Sequence, residues 1–267
     1  MKTIVITGAT SGIGKAFIQE AGRQLIDCKI IVIARHAPDY ALPKNVEVYL
    51  ADLTDPAAIK KITTSILRTH PQIDVLINNA GNGWRGMIAD TTLEEAKVQM
   101  EVNVWALVQL TQQFLPAMRR RKQGHIINIS SVAASIDYPT IGYYSATKAF
   151  VEKISGVLAL ELAPWNIKVS VLAPGAVRTK FGHNMQNIAA YGKGPHAEGY
   201  VLWANRFEKM FKHPLSSDVA ARKLVNLIVS PKSYSYLTLR DTWYCYLRRI
   251  LPRRVFSTLF LKRYMQL

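Results

Sequence analysis

The fold of this chain is decided by the stretch Thr7-Gly8-Ala9-Thr10-Ser11-Gly12-Ile13-Gly14. The apolar run before it, residues 3–7, is typical of a short buried strand. After it, apolar residues recur at four-residue spacing, as they do on one face of a helix: Ile13, Phe17, Ala21 and Leu25. Glycines between a strand and a helix let the backbone approach a pyrophosphate, whose charge the helix N-terminus favours. The G-x-x-x-G-x-G spacing therefore predicts a dinucleotide site rather than a plain strand-to-helix turn.

Strands and helices alternate along the rest of the chain. Apolar runs predict further strands at residues 29–34, 46–50, 73–77, 125–131 and 169–172. Helices are predicted at residues 56–69, at 93–121 with a break or end near Pro116, and at 142–163. This alternation implies right-handed crossovers between parallel strands. We therefore expect one α/β domain with a Rossmann-like, doubly wound parallel sheet and helices on both faces.

Unusual residues follow the predicted strands, at the edge where parallel sheets bind ligands. Sites that prefer NAD usually place an acid after the second strand to bind the ribose 2′-hydroxyl, but here no acid occurs before Asp39. Arg35 suits a 2′-phosphate instead, because its planar guanidinium pairs well with phosphate oxygens. We therefore expect the cofactor to be NADP(H) rather than NAD(H). A solvated surface arginine is the alternative interpretation.

Tyr144 and Lys148 are four residues apart in the stretch Gly142-Tyr143-Tyr144-Ser145-Ala146-Thr147-Lys148. On a helix this spacing puts both side chains on one face. An ammonium beside a phenol favours the phenolate, so Lys148 is expected to lower the pKa of Tyr144 toward the working pH. A tyrosine with such a pKa can pass a proton to or from a reacting oxygen. Taken alone, an exposed structural pair would explain the spacing better, so the other motifs must decide.

With these motifs in order, residues 1–240 resemble the short-chain dehydrogenase/reductase family in its common form. The resemblance implies that Tyr144 is the general acid/base and that Lys148 lowers its pKa and hydrogen-bonds the nicotinamide ribose. Ser131 would hold the substrate oxygen, and the family spacing and strand alternation favour it over Ser130. Asn103 would help to hold a water that relays protons to Lys148. The expectation for Asn103 is weakened by an alanine, three residues later, where many relatives have glycine.

The resemblance also implies which residues hold the cofactor. Asp52 would bind the adenine edge, Asn79 the adenosine-ribose side, and Thr179 the nicotinamide carboxamide. The other expected cofactor contacts are Gly8, Ser11, Gly12, Ile13, Gly14, Arg35, Leu53, Ala80, Gly81, Tyr144, Lys148, Pro174, Gly175 and Val177. No metal site is expected, because the sequence contains no cluster of metal-ligating residues.

The segment of residues 180–215 is rich in aromatic residues and is punctuated by Gly and Pro. In the resembled family this segment is a lid over the substrate. Its aromatic residues predict an apolar pocket, so we expect a small hydrophobic carbonyl or alcohol, steroid-, retinoid- or acyl-like, rather than a sugar. Packing of these aromatic residues against the sheet is the alternative. The resemblance further suggests a homodimer or homotetramer formed through the helices near 93–121 and 142–163.

The chain has a formal net charge of +16, which suits nucleic acid, an anionic membrane or an anionic ligand. No nucleic-acid-binding motif is present, so no specific nucleic acid is expected. Residues 241–267 form a basic amphipathic extension, in which arginines and lysines alternate with aromatic and aliphatic residues and the single acid is Asp241. This composition is typical of a segment on an anionic membrane surface. A helix packed on the same protein or across an oligomer interface is an equally good interpretation, and Pro252 argues against a spanning helix.

The sequence shows no signal peptide, no apolar stretch long enough to span a bilayer, and only two cysteines, Cys28 and Cys245. We therefore expect a cytoplasmic protein, with peripheral association with a membrane through residues 241–267 as one of the two interpretations of this extension. The expected function is an NADP(H)-dependent oxidoreductase acting on an apolar carbonyl or alcohol. A non-catalytic NADP(H)-binding sensor or scaffold is the alternative, because a fold does not fix a function.

Overall fold

Strands and helices alternate in the computed structural model, which describes residues 1–25, 27–183, 185–210, 213–252, 254–256 and 258–259. The strands are β1 (Lys2–Thr7), β2 (Cys28–Ala34), β3 (Val46–Leu50), β4 (Val75–Asn78), β5 (Trp84–Arg85), β6 (Gly124–Ile129), β7 (Ile167–Ala173), β8 (Val177–Arg178), β9 (Gln186–Asn187), β10 (Leu215–Ser216) and β11 (Tyr234–Tyr236). The helices are α1 (Gly12–Gln24), α2 (Pro56–Thr69), α3 (Leu93–Met100), α4 (Ala106–Arg121), α5 (Gly142–Leu162), α6 (Lys180–His183), α7 (Ala197–Met210), α8 (Ser217–Val229) and α9 (Leu239–Ile250).

Seven of these strands form one parallel sheet in the order β11-β7-β6-β4-β1-β2-β3. β1 lies between β4 and β2, so the chain winds outward from β1 in both directions. The predicted doubly wound parallel sheet is confirmed. In such a sheet a ligand binds beyond the carboxyl ends of the strands where the winding reverses, which here is the edge formed by the ends of β1 and β4.

The two faces of the sheet are covered by different helices, as the alternation of side chains along β1 illustrates. Ile4 and Ile6 lie in a buried cluster with Phe17 of α1 and with residues of α8. Val5 points to the opposite face and lies in a second cluster with Phe114 of α4 and residues of α2. Because both faces are buried, β1 is held rigidly. It therefore fixes the position of the loop that follows it, residues 8–14, which we call the glycine loop.

The segment at residues 93–121 departs from the prediction, because α4 continues through Pro116. The interruption lies earlier, at Glu101–Trp105, a π-helical turn that joins α3 to α4 and contains Asn103. Pro116 is exposed while Ala117 and Met118 beside it are buried. Packing of α4 on the sheet therefore offsets the loss of roughly 3 kcal/mol that an internal proline brings. The break expected near Pro116 was wrong.

The C-terminal helix α9 packs on the protein through one face. Its buried residues are Asp241 and Cys245. Cys245 lies in a third apolar cluster with Val132, Phe256 and the ring of Tyr144.

Among the described helices, none combines the length and apolarity needed to cross a bilayer. Several residues that the sequence analysis assigned to the lid or to the extension lie outside the described residues: Phe211, Arg253, Phe260, Leu261, Lys262 and Arg263.

Candidate active site

The loop after β1 brings backbone segments closer together than a side chain would allow. Gly12 has a φ of +56°, in the left-handed region that favours glycine. A Cβ on Gly14 would lie 2.6 Å from the carbonyl oxygen of Gly8 and 2.8 Å from Nδ2 of Asn79. These contacts require glycine and bring the first turn of α1 directly against the end of β1.

The N-terminus of α1 is open to an anion. Ser11 is the N-cap residue, yet its side chain makes no capping hydrogen bond, and the first turn of the helix contains no acid. The first amides of a helix lack acceptors within the helix, and their dipoles favour negative charge. The amides of Gly12, Ile13 and Gly14, together with the Ser11 hydroxyl, therefore fit the diphosphate of a dinucleotide.

Thr7 and Asn79 tie the glycine loop to the end of β4. The Thr7 hydroxyl accepts hydrogen bonds from the backbone nitrogens of Asn79 (3.1 Å) and Ala80 (2.9 Å). The Asn79 side-chain nitrogen donates to the carbonyl oxygens of Thr7 and Gly8, at 2.9 Å each. The amide nitrogen of Asn79 thus holds the loop in shape, and the expected contact of Asn79 with the adenosine ribose stays a prediction. The sequence did not indicate Thr7 as a site residue, because Thr7 is the last residue of the predicted strand at residues 3–7.

Arg35 and Asp52 meet at the ends of β2 and β3. Both residues are exposed. Hydrogen bonds from the backbone and hydroxyl of Thr54 lower the pKa of Asp52, and the nearby charge of Arg35 lowers it further. The residue after Asp52, Leu53, is buried and anchors the loop. The predicted adenosine-side residues are thus brought to one edge of the sheet, beside the glycine loop.

Lys15 and Tyr40 add to this edge and were missed in the sequence. The Tyr40 hydroxyl donates to the carbonyl oxygen of Ala9 at 2.6 Å, which brings the loop after β2 against the glycine loop. The Lys15 ammonium lies 4.5 Å from the centroid of the Tyr40 ring. The signal available in the sequence was the lysine directly after Gly14, which adds a cation to the start of α1.

Tyr144 and Lys148 share a face of α5, as their spacing predicts, and Ser131 reaches the same place from the end of β6. The Lys148 nitrogen lies 5.7 Å from the centroid of the Tyr144 ring and donates to the carbonyl oxygen of Ile129 at 2.9 Å. The Ser131 hydroxyl lies close enough to the Tyr144 hydroxyl to act on it as a hydrogen-bonding group. The structure therefore brings together the three residues that the resemblance implied.

Ser130 points away from Tyr144. Its hydroxyl donates to the carbonyl oxygen of Lys148 at 3.3 Å and to the carboxylate of Glu152 at 3.0 Å. The two neighbouring serines therefore face in opposite directions, as the alternation of side chains along a strand requires. Of the pair, Ser131 is the one that can contact a substrate held at Tyr144.

The pKa values of the pair differ from the sequence expectation. Burial raises the pKa of Tyr144 to about 12, and the hydrogen bond with Ser131 opposes this shift. Burial also lowers the pKa of Lys148 to about 8. The expectation that Lys148 brings the pKa of Tyr144 down toward the working pH is wrong, because removal of the phenol from water has the larger effect. At neutral pH Tyr144 is thus a neutral phenol, the form that donates a proton.

Lys148→Met is expected to change the pH dependence of stability. In the folded protein the pKa of Lys148 is lowered from 10.5 to about 8, so the unfolded chain holds more protons between these values and wild-type stability rises with pH there. The stability of the variant relative to wild type should therefore fall by about 3 kcal/mol between pH 8 and pH 10.5. Urea unfolding at both pH values measures this. Lys153→Met, which removes an exposed lysine of the same helix, is the control, and the expectation fails if both variants behave alike.

Asn103 clamps the loop after β4 onto α5. Its oxygen accepts from the backbone nitrogen of Asn82 at 2.8 Å, and its nitrogen donates to the Asn82 carbonyl at 3.0 Å and to the Thr147 hydroxyl at 3.1 Å. A Cβ on Gly81 would lie 3.2 Å from the Asn103 oxygen and 3.7 Å from the Lys148 nitrogen. The π turn thus brings Asn103 beside Lys148, and its part in a proton relay stays a prediction.

The loop after β7 closes the other side of the site. The Pro174 carbonyl accepts from the backbone nitrogen of Val132 at 3.0 Å, which joins this loop to the turn after Ser131. A Cβ on Gly12 would lie 3.2 Å from the Thr179 side chain. Thr179 therefore faces the glycine loop, and Gly175 and Val177 lie on the chain between Pro174 and Thr179. This arrangement fits the nicotinamide end of a dinucleotide that begins at α1.

The segment expected to be a lid divides into two kinds of aromatic contact. The Phe181 ring lies 5.6 Å from that of Tyr144, and Met185 packs on the same third cluster as Tyr144. Tyr200 instead is buried, donates to Asp90 at 2.8 Å and accepts from the backbone nitrogen of Met87 at 3.0 Å. Phe181 and Met185 therefore form an apolar wall near Tyr144, whereas Tyr200 fastens the segment to the protein.

Glu152 is a carboxylate near the site that the sequence analysis missed. It lies one turn after Lys148 on α5 and accepts hydrogen bonds from Ser130 and Tyr234. Burial raises its pKa, and these two hydrogen bonds oppose the shift. The Arg249 guanidinium of α9 lies 5.4 Å from the centroid of the Tyr234 ring. Glu152 thus links α5 to β11 and to α9.

Comparison with known proteins agrees with this geometry. The short chain dehydrogenase family model matches residues 2–188. A probable short-chain type dehydrogenase/reductase, VdlC of Helicobacter pylori, is 33% identical over 96% of this chain and 95% of its own length. The 3-ketodihydrosphingosine reductase of Bacteroides thetaiotaomicron is 34% identical over 83% and 82%. The crystal structure of a short-chain dehydrogenase from Streptomyces avermitilis, 27% identical, superposes with a TM-score of 0.80 over 99% of this chain and 97% of its own. The chain belongs to the short-chain dehydrogenase/reductase family.

Proposed function

We propose that this protein is an NADP(H)-dependent oxidoreductase that interconverts an apolar carbonyl compound and its alcohol. The observation that carries the proposal is the cluster of Ser131, Tyr144 and Lys148 beside a glycine loop that fits a dinucleotide. A carboxylate or metal-ligand cluster is not needed for such chemistry, because the hydroxyl pair supplies both hydrogen bonds and the proton.

The catalytic residues have distinct roles in this proposal. Bound NADPH supplies the hydride to the carbonyl carbon. The hydroxyls of Ser131 and Tyr144 lie close enough to bond each other, so both can donate to one carbonyl oxygen as it gains negative charge. Tyr144 then gives its proton to that oxygen. The Lys148 ammonium, 5.7 Å from the ring centroid, stabilises the phenolate that Tyr144 becomes.

The cofactor preference rests on charge at the adenosine end. Arg35 directly follows β2 and Lys15 directly follows Gly14, and no acid occurs between the end of β2 and Asp39. Both cations can pair with a 2′-phosphate, which NAD lacks. This supports NADP(H) over NAD(H).

Arg35→Asp is expected to weaken NADPH binding by roughly 10- to 100-fold, because a charge-assisted hydrogen bond is lost and a like charge is introduced. NADH affinity should change less than threefold or increase. Fluorescence titration of the reduced cofactors measures both. Arg68→Asp, at an exposed site on α2, is the charge-matched control. Tighter binding of NADH than of NADPH by the wild type would contradict the proposed preference.

The substrate class rests on the wall formed by Phe181 and Met185 next to Tyr144. The relative named as a 3-ketodihydrosphingosine reductase makes a long-chain ketone the first substrate to assay. A series of linear ketones with NADPH should show kcat/KM rising about fourfold for each added methylene that is buried, which corresponds to about 0.8 kcal/mol. Hydroxylated ketones of equal length are the control. A flat series, or preference for the hydroxylated compounds, would contradict the apolar pocket.

Assembly into a homodimer or homotetramer stays a prediction. The helices expected to form the interface expose apolar side chains, among them Trp105, Val157 and Leu160. Exposed apolar residues on the faces of two neighbouring helices support self-association.

A further inference from the structure

The helix α9 has two unlike faces. Asp241 and Cys245 are buried on its inner face. On the opposite side, four apolar residues follow at spacings of four, three and four, so they form one stripe along the helix. These residues, the outer stripe, are Leu239, Trp243, Tyr246 and Ile250, and they are between 53% and 89% exposed. Large apolar side chains in one exposed stripe mark an interaction surface.

The inner face of α9 packs against the candidate active site. A Cβ on Gly175 would lie 2.7 Å from the Asp241 carboxylate, so α9 approaches the loop after β7 closely. Cys245 is completely buried in the cluster that contains Val132 and Tyr144. Because these contacts fix the rotation of α9, the outer stripe has to face away from the body of the protein.

The chemistry around the outer stripe indicates what it contacts. The rings of Trp243 and Tyr246 are stacked with centroids 6.1 Å apart, and such amphipathic aromatics favour the membrane interface. Exposed arginines flank the stripe: Arg240 on α9 and Arg254 after it. The single acid of the helix, Asp241, is buried on the inner face. The exposed part of α9 therefore carries apolar, aromatic and cationic groups, which complement an anionic lipid surface.

We propose that α9 docks in the plane of an anionic lipid bilayer, with the outer stripe inserted and the flanking arginines on lipid head groups. The inner face of the same helix packs on the cluster containing Tyr144, so docking brings the catalytic site next to the lipid phase. A membrane-dissolved carbonyl substrate could then reach the site without crossing water. This last consequence rests on the proposed function, whereas docking itself does not.

Sedimentation with lipid vesicles tests the proposal on the full chain at about 150 mM salt, where nonspecific attraction is screened beyond about 8 Å. Wild type should sediment with vesicles of phosphatidylcholine and phosphatidylglycerol and bind pure phosphatidylcholine at least tenfold more weakly. Trp243→Glu/Ile250→Glu should reduce binding at least tenfold. Leu93→Glu/Val229→Glu, which makes the same charge change at exposed apolar residues outside α9, should stay within threefold of wild type.

A second double variant tests the proposal even if Trp243→Glu/Ile250→Glu does not fold. Arg240→Gln/Arg254→Gln leaves the apolar stripe intact and should reduce binding to the anionic vesicles about thirtyfold, since each arginine near the surface contributes separately. Tyr144→Phe should bind vesicles as wild type does even though it lacks turnover, so failure of the proposed function would not affect this readout.

Three results would overturn the proposal. One is wild type that fails to sediment with anionic vesicles. Another is equal sedimentation of wild type and of both α9 variants. The third is a loss of oligomer mass by light scattering, without lipid, in Trp243→Glu/Ile250→Glu, which would show that a second copy of the chain covers the outer stripe.

Discussion

Tyr144→Phe is expected to abolish hydride transfer while leaving NADPH binding within threefold of wild type. The variant keeps the ring that packs near Phe181 and removes only the hydroxyl that bonds Ser131. A positioned general acid contributes roughly 10²- to 10⁴-fold, so kcat should fall by at least that range. Steady-state NADPH oxidation with a long-chain ketone measures kcat, and fluorescence titration measures cofactor binding.

Tyr143→Phe is the matched control, since it removes a phenol from the neighbouring residue on a different face of α5. Its activity should stay within twofold of wild type. The assigned mechanism is refuted if Tyr144→Phe retains more than a tenth of wild-type turnover. If wild type binds NADPH but transfers no hydride to any carbonyl compound, the alternative of a cofactor-binding sensor or scaffold gains support.

Gly14→Ala should reduce NADPH affinity by at least a factor of about 100 and lower stability by about 1–3 kcal/mol, as overpacking does. A Cβ there would lie 2.6 Å from the Gly8 carbonyl oxygen and 2.7 Å from Cα of Ala9. Both are backbone atoms that cannot turn aside, so the loop and the first turn of α1 must separate. The amides that fit the diphosphate would then lose their common direction.

Gly156→Ala is the control for this substitution. Gly156 lies inside α5, and a Cβ there would meet no atom within 4 Å. Alanine is favoured over glycine within a helix by about 0.5–1 kcal/mol, so this variant should be slightly more stable and bind NADPH normally. Thermal unfolding and fluorescence titration of both variants make the comparison. Normal cofactor affinity in Gly14→Ala would contradict the assignment of the glycine loop.

The parallel sheet was predictable because its signals are local. Apolar runs of strand length alternate with segments of helical spacing, and short motifs of glycine, asparagine, serine or proline follow β1, β4, β6 and β7. The face of Ser131 could also be predicted, since side chains alternate along β6 and Ser130 must point the other way. The contacts of Asn79 and Tyr40 could not be predicted, because each bonds a carbonyl far away in the sequence.

The pKa of Tyr144 and the path of α4 show why other features escape a sequence. A spacing rule gives the distance between Tyr144 and Lys148 but not the water that folding removes from them, and burial decides both pKa values. Proline is unfavourable in an isolated helix, yet α4 continues through Pro116 because Phe114 and Met118 bury its inner face. The role of Glu152 likewise depends on Tyr234, which belongs to a distant strand.

The central claim is that Tyr144, assisted by Ser131 and Lys148, protonates a carbonyl oxygen whose carbon receives the hydride that bound NADPH would supply. Incubation of the protein with NADPH deuterated at both C4 positions of the nicotinamide, and with a long-chain ketone, tests this most directly. Mass spectrometry should find one deuterium on the carbinol carbon of the alcohol, formed by wild type and Tyr143→Phe and not by Tyr144→Phe. Deuterated alcohol formed equally by Tyr144→Phe, or no transfer by wild type to any ketone of the series, would contradict the claim.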